Sequence, residues 1–257
     1  MQKLRNCTKM GLSVKPIKTA FILGAGLGTR LHPLTNLCPK PLLPVGGRPT
    51  ITYAMDHLIT AGIEQFIVNT HHCANRYHQT FPDNQWRDIP IIFRYEPVLL
   101  DTAGGLKNIE DLLEEDEAIF VYNGDIISDI PLKPLIDSYE TKDREVTLAL
   151  RSSGFPLNVN INEHSDVCDM RYTLGNAGVK NCLFTGIYII KKCFLFRLQA
   201  GCIESVVPVF IKMIREFPGS VTAVLIDEGM WCEIGSIGEY EKIKKGVSLS
   251  SMTKHEK

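Results

Sequence analysis

The chain has 257 residues, of which 44 % are apolar and 22 % charged, and its formal net charge at pH 7 is −1. This is the composition of an ordinary globular protein with a sizeable core, and it offers no basic surface for nucleic acid. No apolar run approaches the roughly 20 residues that span a bilayer, and the N-terminus lacks the apolar stretch of a signal peptide. The eight cysteines are scattered and form no C-x-x-C pair, so we expect reduced thiols and a cytoplasmic location.

The predicted elements alternate between strands and helices along the chain. Short apolar runs predict strands at 19–23, 65–69, 89–95, 118–122, 145–150, 183–190 and 221–226. Helical spacing predicts helices at 49–61, from about 73, at 105–114, 132–139 and 204–217, and from Ser236 onward. This β-α-β-α order predicts an α/β protein with a mostly parallel mixed sheet and helices on both faces.

Residues 151–182 are polar and irregular, which favours short hairpins rather than further βα units. Neither an internal repeat nor a linker interrupts the pattern. We therefore expect a single domain over 17–246, with a flexible lead-in at 1–16 and a polar tail at 247–257.

Three polar or glycine-rich segments directly follow predicted strands. They are the turn G-A-G-L-G at 24–28, Asn123-Gly124-Asp125, and the segment D-T-A-G-G at 101–105. In open parallel sheets, ligands bind beyond the carboxyl ends of the strands. The shared placement of the three segments therefore predicts one ligand site.

The glycine turn at 24–28 matches neither common nucleotide motif. A dinucleotide fingerprint needs G-x-G-x-x-G and an acid about 20 residues later, whereas the first acid here is Asp56. A P-loop is also absent, and a plain tight turn is the simplest alternative. However, Arg30 follows the turn at once, and Lys40 lies between two prolines that restrict its backbone. Bare amides followed by two positioned cations predict a cradle for polyphosphate.

The stretch 24–49 reads G-x-G-x-G-T-R-L-x-P-L-T-x-x-x-P-K-P-L-L-P-V-x-G-x-P. It resembles the signature of the sugar-1-phosphate nucleotidyltransferases, also called NDP-sugar pyrophosphorylases. The resemblance runs from about 17 to 245 and includes N-G-D at 123–125, T-A-G-G at 102–105, F-T-G-I-Y at 184–188 and W-C-E-I-G at 231–235. The short build is similar to the mannose-1-phosphate guanylyltransferase and N-acetylmuramate-1-phosphate uridylyltransferase branches.

The resemblance implies a Rossmann-like nucleotide-diphospho-sugar transferase fold. It also implies Mg²⁺-assisted, in-line attack of a sugar 1-phosphate on the α-phosphorus of an NTP, with GTP or UTP favoured. Because the attacking phosphate is already ionised, the reaction requires positioning and charge neutralisation rather than a general base. Such a build is compatible with a homo-oligomer.

The resemblance implies a role for each matched position. Arg30 is expected to lie against the β- and γ-phosphates, and Lys40 to bridge the α-phosphate and the sugar phosphate. The implied nucleotide-binding residues are Leu23, Gly24, Ala25, Gly26, Gly28, Thr29, Thr102, Gly104, Asn123 and Gly124. The implied sugar-binding residues are Thr185 and Gly186, and the implied Mg²⁺ ligands are Asp125 and Glu233.

Two departures from the family pattern matter. Relatives carry an Asp in a Trp-x-Asp-x-Gly context, where this chain has Glu233, and the Glu-Lys-Pro element that many of them use on the sugar side is missing from 151–182. Glu233 favours an alternative, a non-catalytic relative that binds nucleotide sugars and regulates a partner. A nucleotide-dependent oxidoreductase is disfavoured by the glycine spacing. The cluster His71-His72-Cys73, with His78 beyond it, is interpreted as surface polar residues because no second cluster completes a metal site.

Overall fold

The computed structural model describes residues 15–115 and 117–252, with side chains described up to 246. Residue contacts divide the chain into two compact units that alternate along the sequence. The hairpin unit comprises Leu100–Val121 and Pro131–Asp227, together with the chain up to Thr19. The glycine-loop unit comprises Ala20–Leu99, Tyr122–Ile130 and the chain from Glu228 onward. Most of the lead-in at 1–16 lies outside the described residues, as does the end of the tail, and the single domain over 17–246 stays a prediction.

The observed elements follow the predicted alternation. The strands are β1 (Thr19–Leu23), β2 (Pro44–Val45), β3 (Arg48–Pro49), β4 (Gln65–Thr70), β5 (Gln85–Trp86), β6 (Ile89–Tyr95), β7 (Ala118–Asn123), β8 (Ile126–Ser128), β9 (Val146–Arg151), β10 (Val159–Ile161), β11 (Val167–Met170), β12 (Lys180–Lys191), β13 (Val221–Leu225) and β14 (Trp231–Glu233). The α-helices are α1 (Ile51–Thr60), α2 (Asn75–Thr80), α3 (Asp101–Lys107), α4 (Lys133–Lys142), α5 (Val206–Glu216) and α6 (Ile237–Met252). Short 3₁₀ segments are Thr29–Leu31, Lys40–Leu42, Glu110–Leu112 and Lys192–Arg197. The expected α/β class, with a mixed and mostly parallel sheet and helices, is confirmed. None of the described helices is long and apolar enough to cross a bilayer.

In the glycine-loop unit, β1, β4, β6 and β5 lie side by side in that order. Strands β4 and β6 are parallel, with Phe66 opposite Ile91, and both side chains are buried. Helix α1 buries Ile51, Met55 and Leu58 at the spacing of one helical face, and it packs against β8. Two small antiparallel pairs complete the unit, β2 with β3 and β8 with β14.

In the hairpin unit, β12 pairs antiparallel with β9 and with β10, and β13 lies parallel to β9. Strands β10 and β11 form an antiparallel pair, which confirms the short hairpins expected between 151 and 182. Helix α5 buries Val207, Phe210, Ile211 and Ile214 along one face, as its apolar spacing predicts.

The helix predicted at 105–114 is misplaced, because α3 begins at Asp101 and ends at Lys107. The glycines at 104 and 105 read as a loop in the sequence, but both are buried within the helix. A Cβ at Gly104 would lie 2.3 Å from the carbonyl oxygen of Cys202. The small residues therefore let the helix approach the neighbouring backbone, and this tertiary contact overrides the poor helix propensity of glycine.

Candidate functional site

Two ion pairs of the glycine-loop unit join residues that are distant in sequence. The ammonium of Lys40 pairs with Oδ2 of Asp125, and Nη2 of Arg30 lies 3.8 Å from Oε1 of Glu233. Lys40 is only 9 % exposed, whereas the Arg30 side chain is 71 % exposed. The unit thus brings together all four charged residues that the sequence singled out, with one cation fixed and the other facing solvent.

Strands β8 and β14 bring the two carboxylates together. Ile126, which follows Asp125, lies opposite Glu233 in the antiparallel register. The backbone N–H of Ile234 also donates to the carbonyl oxygen of Asp125 at 3.0 Å. Both carboxylates therefore emerge from the same two-stranded element.

An apolar cluster beneath the site anchors the charged residues. It consists of Leu31, Leu43, Val45, Ile127, Ile234 and Tyr240, all buried. Leu31 directly follows Arg30, and Ile234 directly follows Glu233. Because each buried neighbour is held by packing, the backbone that carries each charge is fixed even where its side chain is exposed.

The electrostatics of the site depend on how close the carboxylates are. Partial burial raises the pKa of Glu233 above its ordinary value, and the negative charge of Asp125 raises it further. Lys40 and Arg30 oppose that shift without cancelling it. A cation placed between the two carboxylates would offset the negative charge that helps to raise the pKa of Glu233.

The peptide of Gly24 is clamped on both sides. Its N–H donates to Oδ1 of Asn69 at 2.7 Å, and its carbonyl oxygen accepts from the hydroxyl of Tyr77 at 2.8 Å. Nδ2 of Asn69 donates in turn to Oε1 of Glu96, which is fully buried. The Gly24 amide is thus engaged within the protein and acts as an anchor for the loop. We missed Asn69, Tyr77 and Glu96 in the sequence, although Asn69 stood at the end of a predicted strand.

The rest of the loop remains available to a ligand. Within the part of the chain that the structure describes, the amides of residues 25–28 donate to no acceptor. Gly26 is exposed, and a Cβ added there would meet nothing within 4 Å. Gly28 has φ +63°, and a Cβ there would lie 2.9 Å from Thr35 and 3.1 Å from Cβ of Lys40. The loop therefore packs directly against the stem of Lys40, while its open side presents bare amides.

The other predicted nucleotide residues in this unit follow the strand ends. The carbonyl oxygen of Leu23 accepts a hydrogen bond from the N–H of Gly124 at 3.0 Å, which ties the end of β1 to the turn before Asp125. Asn123 is the last residue of β7 and is partly exposed, and Thr29 begins the 3₁₀ segment that carries Arg30.

Four predicted site residues belong to the hairpin unit, where they take part in local hydrogen bonds and packing. Oγ1 of Thr102 accepts from the N–H of Val206 at 2.8 Å. Thr185 is fully buried, and its hydroxyl donates to the carbonyl oxygen of Ala149 at 2.7 Å. Gly104 is packed as described above, and Gly186 has φ +74°. Their roles toward a nucleotide or a sugar stay predictions.

The histidine cluster forms no metal centre. His71 Nδ1 bonds the carbonyl oxygen of Glu96 at 2.8 Å, and His72 Nε2 bonds that of Thr35 at 2.8 Å. Across residues 15–115 and 117–252, no group of three or more His, Cys, Asp or Glu side chains is arranged to hold a metal ion. His72 thus connects the segment after β4 to the loop that leads to Lys40, whereas His71 connects it to the residue after β6.

Comparisons with known proteins place this geometry in context. The chain is 36 % identical over 137 residues to a mannose-1-phosphate guanylyltransferase of Mycobacterium tuberculosis, which covers 53 % of this chain and 38 % of that protein. It is 31 % identical over 232 residues to a mannose-1-phosphate guanyltransferase of Aspergillus fumigatus. That match covers 84 % of this chain and 60 % of that protein. The chain thus spans between about two fifths and three fifths of the length of these relatives.

Solved structures share the fold. The crystal structure of HddC from Yersinia pseudotuberculosis, complexed with GMP-PN, superposes with a TM-score of 0.72 at 20 % identity and covers 90 % of this chain and 99 % of that chain. At this identity the likeness concerns the fold alone. The sequence model of the nucleotidyl transferase family matches residues 19–154, which include Arg30, Lys40 and Asp125. Because that match covers more than half of the chain, the chain belongs to the nucleotidyl transferase family.

Proposed function

We propose that the chain transfers a nucleotidyl group from an NTP to a sugar 1-phosphate, which releases pyrophosphate and forms an NDP-sugar. Its family membership supports the reaction class. The relatives named as mannose-1-phosphate guanylyltransferases support GTP and mannose 1-phosphate as the first substrates to test, with UTP next.

One observation carries the proposal: the buried Lys40 ammonium, paired with Asp125, lies against a glycine loop whose amides at 25–28 remain available. The reaction must bring two anions together, and even single like charges about 4 Å apart repel by about 4 kcal/mol at an effective dielectric of about 20. A site for this reaction needs fixed positive groups and backbone donors rather than a proton acceptor. Lys40 and the loop supply both.

The two cations suit different phosphates. Lys40 has a buried stem and a fixed position, so it would neutralise the α-phosphate and the incoming sugar phosphate, where geometry matters most. Arg30 is largely exposed and would follow the β- and γ-phosphates and the departing pyrophosphate. Each cation also lies beside a carboxylate, Lys40 beside Asp125 and Arg30 beside Glu233, which limits the repulsion between the cations.

Asp125 and Glu233 have the chemistry of a Mg²⁺ site shared with a substrate. Proteins hold Mg²⁺ through one or two carboxylates and let substrate phosphates complete the coordination. The raised pKa of Glu233, to which Asp125 contributes, indicates that the pair would be stabilised by a divalent cation. When bound, the ion would neutralise phosphate charge and polarise the α-phosphoryl group. Nucleotide binding would then require Lys40 to exchange Asp125 for phosphate oxygens.

The test is incubation of the purified chain with each NTP and a panel of sugar 1-phosphates in Mg²⁺, scored by pyrophosphate release. We expect turnover with GTP and mannose 1-phosphate, and a loss of turnover when EDTA is added. Asp137→Asn, an exposed carboxylate paired only with Lys133, serves as the control variant. Absence of pyrophosphate release over the whole panel would contradict the proposal.

Glu233 sustains one second candidate, a non-catalytic relative that binds nucleotide sugar and regulates a partner. Its carboxylate pairs with Arg30 and is one methylene longer than the Asp of relatives. Glu233→Asp separates the two functions. A gain of pyrophosphate release in a protein otherwise inactive would favour the regulatory candidate, whereas an active natural chain would exclude it.

A further inference from the structure

The N–H of Ala25 is a backbone donor of the glycine loop that is enclosed by the protein and yet unbonded. Ala25 is 3 % exposed, and its N–H has no acceptor among the described residues. Buried backbone donors are nearly always paired in folded proteins, because an unpaired one loses the hydrogen bond that water would give it. This N–H therefore gains from an acceptor that a ligand supplies.

Tyr77 fixes the direction in which this N–H points. The peptide between Gly24 and Ala25 is trans, so the N–H of Ala25 points opposite to the carbonyl of Gly24. That carbonyl oxygen accepts from the hydroxyl of Tyr77 at 2.8 Å, and Tyr77 is fully buried in α2. The Tyr77 ring packs against that of Phe93, with centroids 5.7 Å apart. The carbonyl of Gly24 is thus held toward α2, and the N–H of Ala25 is turned away from it.

Asn69 and Glu96 fix the preceding peptide. The N–H of Gly24 donates to Oδ1 of Asn69 at 2.7 Å, while Nδ2 of Asn69 donates to Oε1 of Glu96 at 2.8 Å. An ionised carboxylate accepts hydrogen bonds and donates none, so Glu96 selects the amide orientation that leaves Oδ1 facing Gly24. Asn69 is 2 % exposed and Glu96 is fully buried. The order Glu96–Asn69–Gly24 is therefore a buried relay with a defined donor direction.

The space around Gly24 leaves this arrangement no freedom to turn. A Cβ at Gly24 would lie 2.6 Å from the backbone carbonyl oxygen of Asn69 and 2.8 Å from the hydroxyl of Tyr77. Rotation of either peptide would break a hydrogen bond to a buried side chain, which is costly. The clamp therefore sets the orientation of the loop before any ligand arrives.

We propose that Tyr77 and the Asn69–Glu96 pair are positioning residues that hold the N–H of Ala25 toward the bound nucleotide. They act through the backbone of Gly24 rather than by touching the nucleotide. The inference rests on the proposed nucleotidyl transfer, and its test measures NTP affinity separately from turnover. A donor that is oriented in advance adds to affinity, because binding does not have to order it.

Tyr77→Phe keeps the ring and removes the hydroxyl alone. We expect the Kd of GTP in Mg²⁺, measured by calorimetry well below the thermal midpoint, to rise about tenfold, as when one hydrogen bond is lost. The KM should rise with the Kd, while kcat stays within about threefold. Tyr122→Phe is the matched control, since it also removes a buried hydroxyl, which is bonded to Nδ1 of His57 at 3.0 Å. Both variants should lower the midpoint, but only Tyr77→Phe should weaken GTP binding. An unchanged Kd in Tyr77→Phe would overturn its role.

An exchange of donor and acceptor tests the Asn69–Glu96 pair. Asn69→Asp keeps the acceptor for Gly24 but sets a second carboxylate against Glu96, so we expect GTP affinity to fall about tenfold or more. Glu96→Gln keeps an acceptor for Nδ2 of Asn69 and should change affinity by less than about threefold. In the double variant the new glutamine amide donates to the new aspartate, so affinity should match that of Glu96→Gln within about threefold.

The double variant decides the role of this pair even where Asn69→Asp alone does not fold. GTP binding about tenfold weaker in the double variant than in Glu96→Gln would show that the relay does not position the loop, and would overturn this part of the proposal.

Separate readouts distinguish this inference from the proposed function. GTP binding that weakens in Tyr77→Phe, in a chain that releases no pyrophosphate with any sugar 1-phosphate, would support the positioning role and contradict nucleotidyl transfer. Turnover in the natural chain, with Kd and KM unchanged in Tyr77→Phe and in the double variant relative to its control, would overturn the positioning role and leave the function in place.

Discussion

The glycine-loop unit and the hairpin unit both contain threonines and glycines that match the family pattern, yet they use them differently. In the glycine-loop unit, Gly26 is exposed with open space around it, and the amides of residues 25–28 have no acceptor among the described residues. In the hairpin unit, Thr185 is fully buried with its hydroxyl bonded to Ala149, and Gly104 is enclosed by the backbone of Cys202. The same residue types are exposed in one unit and packed into the fold in the other.

Whether a matched polar group can bind a ligand depends on whether it is already bonded within the fold. A polar group that has no partner in the free protein is available for substrate, whereas a buried polar group already bonded is costly to redirect. The amides at 25–28, which we expect to bind the phosphates, thus have no acceptor among the described residues. The implied sugar-binding residues are Thr185 and Gly186. The hydroxyl of Thr185 is already bonded to the carbonyl oxygen of Ala149, and glycine has no polar side chain.

The largest expected effect is that of Lys40→Met. The variant keeps the buried stem and removes the charge, so we expect kcat to fall about 10²–10³-fold, as when one transition-state donor is lost. We expect little change in the thermal midpoint of unfolding of this variant. Pyrophosphate release under saturating GTP and mannose 1-phosphate measures the effect. A loss smaller than fivefold would show that Lys40 does not act at the reacting phosphates.

Thr185→Val tests the hairpin-unit side of the comparison. The variant leaves the carbonyl of Ala149 and the N–H of Ile187 without the Thr185 hydroxyl, at a cost of about 1–3 kcal/mol. We expect the thermal midpoint to fall by roughly 3–10 °C, with KM for the sugar phosphate unchanged. Thr185→Ser, which keeps the hydroxyl, is the matched control. A raised sugar-phosphate KM with an unchanged midpoint would instead assign Thr185 to substrate.

Gly26→Ala tests the glycine-loop side. The added methyl group meets nothing in the free protein, so the midpoint should stay the same. If a triphosphate approaches the backbone at 25–28, the methyl group obstructs it, and we expect the NTP KM to rise about tenfold. Gly238→Ala, at another glycine with open space around it, is the control for the KM and should leave it unchanged. An unaltered KM in Gly26→Ala would place the phosphates elsewhere.

The smallest effect concerns acid stability of the framework under the site. His57 bonds the Tyr122 hydroxyl and the carbonyl oxygen of Ile130, and burial lowers its pKa below the ordinary 6.5. Between 6.5 and that lower folded pKa, only the unfolded state binds the proton, so stability falls as pH falls. The slope from this one group is at most about 1.4 kcal/mol per pH unit. Thermal midpoints between pH 5 and 7.5 should decline less steeply in His57→Gln than in the natural chain. Parallel profiles would show that His57 does not contribute.

Local patterns predicted much of the fold. Strands β1 and β6 have the predicted bounds. The stretch 24–49 also predicted Arg30 and Lys40 as the cations of the site, and their role toward phosphate stays a prediction. Each of these conclusions rests on residues that are neighbours in sequence.

Long-range contacts account for what the sequence did not reveal. The pairing of β8 with β14, which sets Asp125 beside Glu233, joins two strands of three residues each, too short to show a periodic pattern. The clamp on Gly24 depends on Asn69 and Tyr77, which meet it only in the folded sheet. The start of α3 at Asp101 depends on packing against Cys202 rather than on helix propensity.

We propose that Asp125, held between Lys40 and the strand pair β8–β14, serves nucleotidyl transfer. The decisive measurement is the rate of GDP-mannose formation from GTP and mannose 1-phosphate in Mg²⁺, compared between the natural chain, Asp125→Asn and the control Asp137→Asn. We predict turnover in the natural chain and in Asp137→Asn, with a loss of at least about 10²-fold in Asp125→Asn. Equal rates in Asp125→Asn and the natural chain would show that Asp125 has no part in the reaction.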